Sequence, residues 1–444
     1  MEKTKRRSTR LSAGAATVNI TPMEPCFLFG YPFVGRTSTG VNDWLLSSAL
    51  YLNDGEEQVL FISNDLIYVS KATVARVRKT ISEKTGIPVS HILIGATHTH
   101  SGPVTIDFAA SANDQVVPKV DVKYLKYLEE NIVRAACHAY ENASSAEIGL
   151  FVADGTGIGT NRHDPTGTAD LDIPVLVARK PNGEFIACMM VCNMHPTVLH
   201  EDSTLFSGDF PAYAREILQK MYLMYECPVL YFTGAAGNQS PRHVTQDNTV
   251  DEARRIGGII AKSAGTKIRD GIQYRSDIPL AVFRTLVDLP RRLFPDVEQA
   301  NRNRQKAWDR LTMLKDNSKN RQEIRTAEVD WFGAEELFHF AEMAQTGLLD
   351  EYYKGCLPAE IQTIKIGPWS FVAWPGEIFV EYELELKKHD PNIFLITLSN
   401  GELQGYIATE EAERSGHYEA SNSIFHFSGG KILVDETLKL LKKK

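Results

Sequence analysis

An order of strand, helix and strand that occurs twice is the feature that most constrains the fold of this chain. In the first occurrence an apolar run ends near residue 64, a helix capped by Ser70 follows, and residues 91–96 (HILIGA) form the next strand. The second occurrence has strands at 185–193 and 228–232, with a helix around 213–221 between them. A helix that connects two strands makes them parallel. We therefore predict an α/β fold with a mixed, largely parallel sheet core flanked by helices, and the repetition suggests internal duplication.

The stretch at 290–347 interrupts this pattern with a charged, helical composition. Apolar spacing predicts helices at 297–313 and 334–343, which would pair as a helical hairpin inserted into the fold. The predicted apolar seam of this hairpin consists of Trp308, Leu311, Trp331, Phe332, Leu337 and Phe340. Strands return at 359–366 and in SFVAWP and FLITL. We expect a single domain at 12–444, with the insertion at 290–347 and a basic tail at 1–11.

Composition argues against several classes of function. The 444 residues carry a net charge of −8, which argues against a general nucleic-acid-binding protein. No run of about 18 apolar residues is present, so we expect no integral membrane segment. The basic start, MEKTKRRSTR, lacks the apolar segment of a secretion signal, and the six cysteines form no CxxC pair. We expect reduced thiols and a cytoplasmic location.

The candidate functional residues follow the ends of apolar strands. In HILIGATHTHSGP the strand ends at His98 and His100, and alternation along an extended backbone places both imidazoles on one side. Other apolar strands end at NMHP, TGAAGNQSP, WPGE and NGELQGY. Because the ends of neighbouring parallel strands meet at one edge of a sheet, we expect this histidine pair to meet His195 and Glu377. Two or three nitrogens with a carboxylate suit Zn²⁺ that keeps an open position for water.

Each of these residues also has a structural interpretation. His195 could cap a strand by hydrogen bonding, and Glu377 could be a helix N-terminal charge favoured by the dipole. Ser240 before Pro241 is either a turn residue or a nucleophile. The patterns HExxH, GxSxG and the P-loop are absent from the sequence. The glycine-rich loop GTGIGTNRHDPTG does not fit a dinucleotide site, because the Asp-Pro pair at 164–165 prevents the required helix.

Taken in order, these pieces resemble the neutral/alkaline (non-lysosomal) ceramidase family. The most specific match is THTHSGP at 97–103, and the order runs from GAATVNITP near the amino end to about residue 425. The shorter matches lie at 193–196, 208–210, 234–241, 375–377, Tyr406 and 418–420. The resemblance therefore covers nearly the whole chain.

The resemblance implies a zinc ion and assigns its ligands. Two histidines, a glutamate and a tyrosine would hold the ion, namely His98, His195, Glu377 and Tyr406. Spacing alone does not choose between Tyr406 and Tyr418. The neighbours that handle protons and polarise the carbonyl would be His100, Arg162 and Tyr418. We also expect Asn238 and Ser240, in the turn at 234–241, to contact the substrate.

The function implied by this resemblance is that of a zinc-dependent hydrolase, which cleaves the amide bond of a small acyl substrate with metal-activated water. Ceramidases of the family carry a further C-terminal β-sandwich domain and act outside the cell or at membranes. This sequence ends before such a domain could fit, shows no export signal, and has Asn19 where an aspartate is common. We accordingly expect a soluble N-acyl or O-acyl substrate.

Three other functions remain open at this point. An esterase or lactonase could use the same zinc site, and a non-catalytic protein could bind a metal or ligand there. A serine hydrolase could use Ser240. The oligomeric state does not follow from the sequence.

Overall fold

The computed structural model describes residues 11–224 and 226–443, and within them three β-sheets of four or five strands form the centre of the protein. The predicted basic tail lies outside the described residues, apart from Leu11, which is buried. In spatial order the first sheet contains Ile92–Ala96, Gln58–Asn64, Leu46–Asn53, Ser12–Asn19 and Ser144–Ser145. The second contains Val229–Thr233, Phe185–Cys192, Asp172–Arg179, Glu147–Asp154 and Tyr274–Arg275. The third contains Leu280–Val287, Ala359–Ile366, Trp369–Ala373 and Ile393–Ile396.

Short two-stranded ladders and helices surround these sheets. The ladders pair Leu28–Phe29 with Gly102–Pro103, Gly40–Val41 with Leu205–Phe206, Thr160–Asn161 with Gln239–Ser240, and Glu377–Ile378 with Tyr406–Ile407. The described α-helices are Lys71–Thr85, Val122–Glu141, Asp209–Leu218, Val250–Asp270, Val297–Asn317, Arg321–Thr346, Leu349–Cys356, Val380–Lys387, Glu410–Arg414, Tyr418–Ser421 and Ser428–Leu441. The predicted cap is confirmed, because the Ser70 side chain accepts the Thr73 N–H at the start of its helix.

The three sheets share a single apolar core between them. Because side chains alternate along a strand, every second residue of each sheet faces this common core. Its largest members are Phe61, Phe232, Trp369, Phe371 and Phe394. The intervening residues, such as Leu60 and Ile62, pack into a second cluster with helix side chains. Burial of each aromatic side chain stabilises the fold by on the order of 2–3 kcal/mol, so the three sheets are packed firmly against one another.

The prediction of a mixed α/β fold is confirmed, but its largely parallel sheet is not. Within the described residues each large sheet has one parallel pair, and its other pairings are antiparallel. The parallel pairs join Gln58–Asn64 to Ile92–Ala96, Phe185–Cys192 to Val229–Thr233, and Trp369–Ala373 to Ile393–Ile396. A helix lies between the strands of each parallel pair, whereas strands joined by short turns can only return antiparallel. The unit in the third sheet is therefore a third occurrence of the strand–helix–strand order that the sequence shows twice.

The predicted helical hairpin is present and is longer than expected. In the sequence its helices, Val297–Asn317 and Arg321–Thr346, come between Leu280–Val287 and Ala359–Ile366, two strands that pair antiparallel in the third sheet. Three ion pairs join the helices: Arg304–Glu335, Arg310–Asp330 and Lys315–Glu328. The residue numbers rise along the first helix as they fall along the second, which shows that the helices are antiparallel. The rings of Trp308 and Trp331 lie 5.0 Å apart in the seam. Among the described helices, none combines the length and the apolar character needed to cross a bilayer.

Candidate metal centre

The candidate site lies where the parallel pairs of the three sheets end. The chain passes from Ile92–Ala96 to His98, from Phe185–Cys192 to His195, and from Trp369–Ala373 to Glu377. Hydrogen bonds fasten these ends together, because the Thr233 hydroxyl donates to the Thr97 carbonyl at 2.8 Å and the Thr397 N–H donates to the Thr233 carbonyl at 2.9 Å. The convergence predicted from the strand ends is therefore present.

In the THTH segment the two histidine side chains face the site, and the two threonine side chains bond to the surrounding structure. Thr97 donates to Asp65 Oδ1 at 3.2 Å and Thr99 donates to the Ser207 carbonyl at 2.6 Å. The two histidines face each other instead, with 3.4 Å between the Nε2 atoms of His98 and His100. His98 has a left-handed backbone with φ of 66°, a conformation that costs an L-residue roughly 1–2 kcal/mol. Strained backbone of this kind is concentrated at functional sites.

A buried ion pair supports the segment from behind. Arg215, in helix Asp209–Leu218, donates to both carboxylate oxygens of Asp65 at 2.8 and 2.6 Å. The Asp65 carboxylate also accepts the Leu46 N–H at 2.9 Å and the Thr97 hydroxyl. The pair thus joins helix Asp209–Leu218 to the end of strand Gln58–Asn64 in the first sheet. Because Asp65 also accepts from Thr97, this contact fixes the backbone that leads into His98.

Three polar atoms from the three sheets meet in a buried cluster. His98 Nε2 lies 2.9 Å from His195 Nε2, and Glu377 Oε2 lies 3.2 and 3.1 Å from these two nitrogens. The exposed fractions of the three residues are between 1% and 4%. The other Glu377 oxygen accepts the Tyr68 hydroxyl at 2.7 Å.

The hydrogen bonds of the imidazoles decide which atoms face the centre of the cluster. His98 Nδ1 lies 3.1 Å from the Ile67 carbonyl and His195 Nδ1 lies 2.7 Å from the Ala236 carbonyl. A carbonyl only accepts, so both Nδ1 atoms carry the hydrogen and both Nε2 atoms present a lone pair. Burial lowers the pKa of His195 to about 4, with Arg162 and His98 adding to the effect.

Three lone-pair donors without a hydrogen between them could hold a cation. At bond lengths of about 2.0–2.1 Å, the ligand atoms of a tetrahedral zinc site lie about 3.3 Å apart. The observed separations of 2.9, 3.1 and 3.2 Å are close to that value. Imidazole nitrogen and carboxylate oxygen are also the donors that zinc accepts in proteins. The residues present therefore fit the ion that the sequence predicts.

Tyr406 and Arg162 border this cluster. Tyr406 is the direct ladder partner of Glu377 in a short parallel pair, and its ring lies 6.4 Å from the His195 ring. Arg162 Nη1 lies 3.5 Å from the Tyr406 hydroxyl and 2.9 Å from Glu419 Oε1. The buried Glu419 carboxylate thus holds the guanidinium of Arg162 against the phenol of Tyr406.

A cavity opens onto the cluster. Polar groups on its wall include His100, Glu377, Tyr406 and Tyr418. The wall is completed by Phe29, Gly30, Tyr31, Pro32, Ile67, Tyr68, Phe108, Ala110, Ser111, Glu336 and Asn422. Burial lowers the pKa of His100 well below its ordinary value, and His98 and His195 lower it further. A neutral imidazole and the phenol of Tyr418 therefore lie beside the candidate metal ligands.

No protein-family model matches the sequence. Two solved structures nevertheless share its architecture. Neutral ceramidase from Pseudomonas aeruginosa aligns with a TM-score of 0.74 and 15% identity, over 98% of this chain and 74% of that chain. A ceramidase complexed with C2 aligns with a TM-score of 0.75 and 14% identity, over 97% of this chain and 75% of that chain. The fold is that of neutral ceramidase. The resemblance predicted from THTHSGP and the pieces after it is confirmed at the level of the fold.

The ceramidase fold brings together seven of the nine predicted site residues. His98, His195 and Glu377 form the cluster, Tyr406 and Arg162 border it, and His100 and Tyr418 line the cavity. The other two, Asn238 and Ser240, lie in the turn beside the site, where the Arg162 N–H donates to the Asn238 carbonyl at 2.8 Å. The Asn238 side chain accepts the Val380 N–H and donates to Glu381, which caps a helix, and Ser240 accepts the Arg242 N–H in a turn. Neither is among the described residues that line the cavity, and their contact with a substrate stays a prediction.

A second histidine cluster near the site has a different geometry. The nitrogens of His163 and His417 lie close to the Glu419 carboxylate, and His163 Nε2 is 2.8 Å from it. The two rings are stacked at 3.7 Å with 8° between their planes. Because the lone pair of an imidazole nitrogen lies in the ring plane, two stacked parallel rings cannot both point at one ion. This cluster therefore positions Glu419 for Arg162.

Sequence reasoning missed Tyr68, Glu336 and Asn422. Tyr68 follows the strand Gln58–Asn64, so the rule that polar residues after strand ends reach the site could have found it. Glu336 lies in the inserted helix Arg321–Thr346, where a glutamate looks like any solvated helix charge. Its burial, with 4% exposed, becomes visible only when the hairpin is folded against the ceramidase-like core.

Proposed function

We propose that the protein is a zinc-dependent hydrolase that cleaves the amide bond of a small N-acyl substrate. The observation that carries this proposal is the buried meeting of two imidazole lone pairs and a carboxylate, at separations close to those of a tetrahedral zinc site. Such a cluster is electrostatically unfavourable unless a cation occupies its centre. Two solved structures with this fold are named ceramidases, which favours an N-acyl amide as the substrate class.

We assign His98, His195 and Glu377 as ligands, with Tyr406 as the fourth. The ladder pairing of Tyr406 with Glu377 supports this choice, because it holds the two residues side by side. The Tyr418 hydroxyl, in contrast, lies 3.1 Å from Glu336 and is engaged away from the cluster. When bound, zinc would supply Lewis-acid polarisation and a hydrolytic nucleophile at neutral pH.

The remaining residues bind the acyl group and move protons. His100 Nε2 faces the cavity beside the cluster, where it can accept the proton of the attacking water and return it to the leaving nitrogen. The Tyr418 hydroxyl can donate to the carbonyl oxygen as charge develops on it. Arg162, fixed by Glu419, adds a permanent positive charge beside Tyr406.

Metal analysis tests the ligand assignment without relying on a substrate. We expect the purified protein to contain one zinc per chain, and we expect His98→Ala and Glu377→Ala to lose it. His163→Ala is the matched control, because His163 lies in the stacked pair outside the cluster. Tyr406→Phe should weaken zinc binding, whereas Tyr418→Phe should retain it. Stoichiometric zinc in both His98→Ala and Glu377→Ala would refute the assignment.

A panel of acyl substrates tests the reaction. It should contain N-acyl amides of increasing chain length, including a ceramide, together with the matched esters and lactones. Zinc-dependent turnover of amides, lost in His100→Ala with zinc retained, supports the proposal. Turnover restricted to esters or lactones would assign the alternative hydrolase activity, and zinc binding without turnover of any acyl compound would indicate a binding protein. Activity that survives chelation but not Ser240→Ala would point to a serine hydrolase.

A further inference from the structure

A buried glutamate from the inserted hairpin reaches the wall of the cavity. Glu336 belongs to helix Arg321–Thr346, is only 4% exposed, and lines the same cavity as Glu377 and Tyr418. Its Oε1 lies 3.1 Å from the Tyr418 hydroxyl oxygen, and its Oε2 accepts the Asn422 amide at 2.6 Å. The helix comes this close because Gly333 faces the short helix of Tyr418, where an added Cβ would lie 3.1 Å from Ser421.

The protonation of Glu336 decides what the Tyr418 hydroxyl can do. A carboxylate has no hydrogen to give, so Tyr418 must donate its own O–H to an ionised Glu336. A carboxylic acid donates instead, so the Tyr418 oxygen accepts and its hydrogen is free to point into the cavity. The Asn422 amide also lies 3.4 Å from the Tyr418 oxygen, and this contact is compatible with either arrangement. Only a protonated Glu336 leaves Tyr418 with a donor for a substrate.

We propose that Glu336 is a positioning residue, which accepts the Asn422 amide and donates its own proton to Tyr418 so that the Tyr418 hydroxyl points at the substrate carbonyl. This inference rests on the hydrolase function proposed above. Through Glu336 the inserted hairpin contributes to the reaction, because this side chain orients the hydrogen-bond donor of the oxyanion.

The surroundings of Glu336 favour its neutral form. Burial raises the pKa of Glu336 to about 8, and the negative charges of Asp114 and Glu377 add to the rise, against the lowering by Asn422 and Tyr418. The hydrogen-bond partners at its two oxygens, Tyr418 and Asn422, are uncharged groups. A carboxyl held in this way is a hydrogen-bond donor at neutral pH.

Substitution of Glu336 separates the positioning role from a structural one. Glu336→Gln keeps both hydrogen bonds, because its amide can donate to Tyr418 while its carbonyl accepts from Asn422. We expect this variant to retain kcat within about threefold of the wild type. Glu336→Leu removes the donor, and we expect kcat to fall by about 10²–10³-fold with little change in KM, the usual effect of losing one oxyanion donor. Glu335→Gln is the control, since Glu335 lies on the same helix but pairs with Arg304 and Trp331.

A double-mutant cycle assigns the effect to Tyr418. Glu336→Leu should cost little further activity in a Tyr418→Phe background, because the hydroxyl that it positions is already absent. Zinc content should stay stoichiometric in all of these variants. Additive losses, or Glu336→Gln as inactive as Glu336→Leu, would overturn the inference.

Infrared spectroscopy provides a readout that does not need a substrate. At neutral pH the infrared difference between the wild type and Glu336→Gln should contain the C=O stretch of a protonated carboxylic acid, and the difference between the wild type and Glu335→Gln should lack it. An unchanged band in Glu336→Gln would refute the inference even if the hydrolase function holds. Absence of acyl turnover in the zinc-loaded wild type would refute the proposed function, whereas the infrared band would still show whether Glu336 carries its proton.

Discussion

Substitution of Gly30 by alanine should displace His100 and lower activity without removing the metal. Gly30 has φ of 128° and lies under the His100 ring. A Cβ added there would be 2.5 Å from His100 Nδ1, 2.6 Å from its Cγ and 2.8 Å from its Cβ. Carbon atoms in non-bonded contact prefer separations of about 3.5–4.0 Å. The ring or the Gly30 backbone must therefore move by about 1 Å.

The size of the effect follows from this displacement. A reacting group misplaced by about 1 Å typically costs on the order of 10²-fold in rate. The backbone adds a stability cost, since an L-residue in this φ region is disfavoured by roughly 1–3 kcal/mol. We therefore expect Gly30→Ala to lower kcat/KM by about 100-fold while zinc content stays at the wild-type value, because His100 is not among the assigned ligands.

Gly86→Ala is the matched control. Gly86 also has a positive φ, of 76°, at a helix end, and no described atom lies within 4 Å of its added Cβ. It should lose a similar amount of stability in urea unfolding and keep full activity. The decisive measurement is kcat/KM of the two variants on the same N-acyl substrate, with zinc determined on the same samples. Equal activity in Gly30→Ala and Gly86→Ala would show that the His100 ring does not need its present position.

Three further results are expected. Chelation should lower the melting temperature, and zinc should restore it, because an ion at about 1,000 times its Kd stabilises the folded state by about 4 kcal/mol; equal melting curves would argue against a bound metal. Asp65→Asn should destabilise the protein by about 3–5 kcal/mol, since it leaves the buried Arg215 charge unpaired, and Arg215→Met should relieve part of this loss in the double variant. Burial raises the pKa of Glu419, but His163 and Arg162 lower it from 4.5 to about 2, so its carboxylate stabilises the fold above pH 4.5 and loses this contribution as pH falls towards 2. Urea unfolding across that range should therefore be less pH-dependent in Glu419→Gln, and an unchanged pH profile would contradict the pairing.

Local patterns in the sequence were sufficient to predict the parts of the site that follow strands. His98, His100, His195 and Glu377 each come directly after a run of apolar residues, and the ends of parallel strands converge. The same patterns predicted the mixed α/β class and the helical hairpin. They overestimated the parallel pairing, because an apolar run predicts a strand but does not say whether its neighbour in space is reached through a turn or through a helix.

Contacts between distant segments could not be predicted in this way. The Tyr68 hydroxyl binds a carboxylate 309 positions away, and the Asp65–Arg215 pair spans 150 positions. Glu336 is indistinguishable in sequence from Glu335 beside it, and the packing of the hairpin against the core buries Glu336 while Glu335 stays partly exposed. The substrate contacts of Asn238 and Ser240 stay a prediction, and in the structure their side chains bond to a helix start and to a turn.

The repeated topology explains why a metal site can arise at this position. Each of the three sheets has one strand–helix–strand unit, and each unit delivers one donor to the cluster immediately after a strand of its parallel pair: His98, His195 and Glu377. Because the sheets share one apolar core, their strand ends are fixed relative to one another before any ion binds. An ion at the cluster would then connect all three sheets, so loss of any one ligand should loosen the junction between sheets as well as the metal. We expect the largest effect for loss of Glu377, because its carboxylate contacts both histidines and its short strand pairs with the strand of Tyr406.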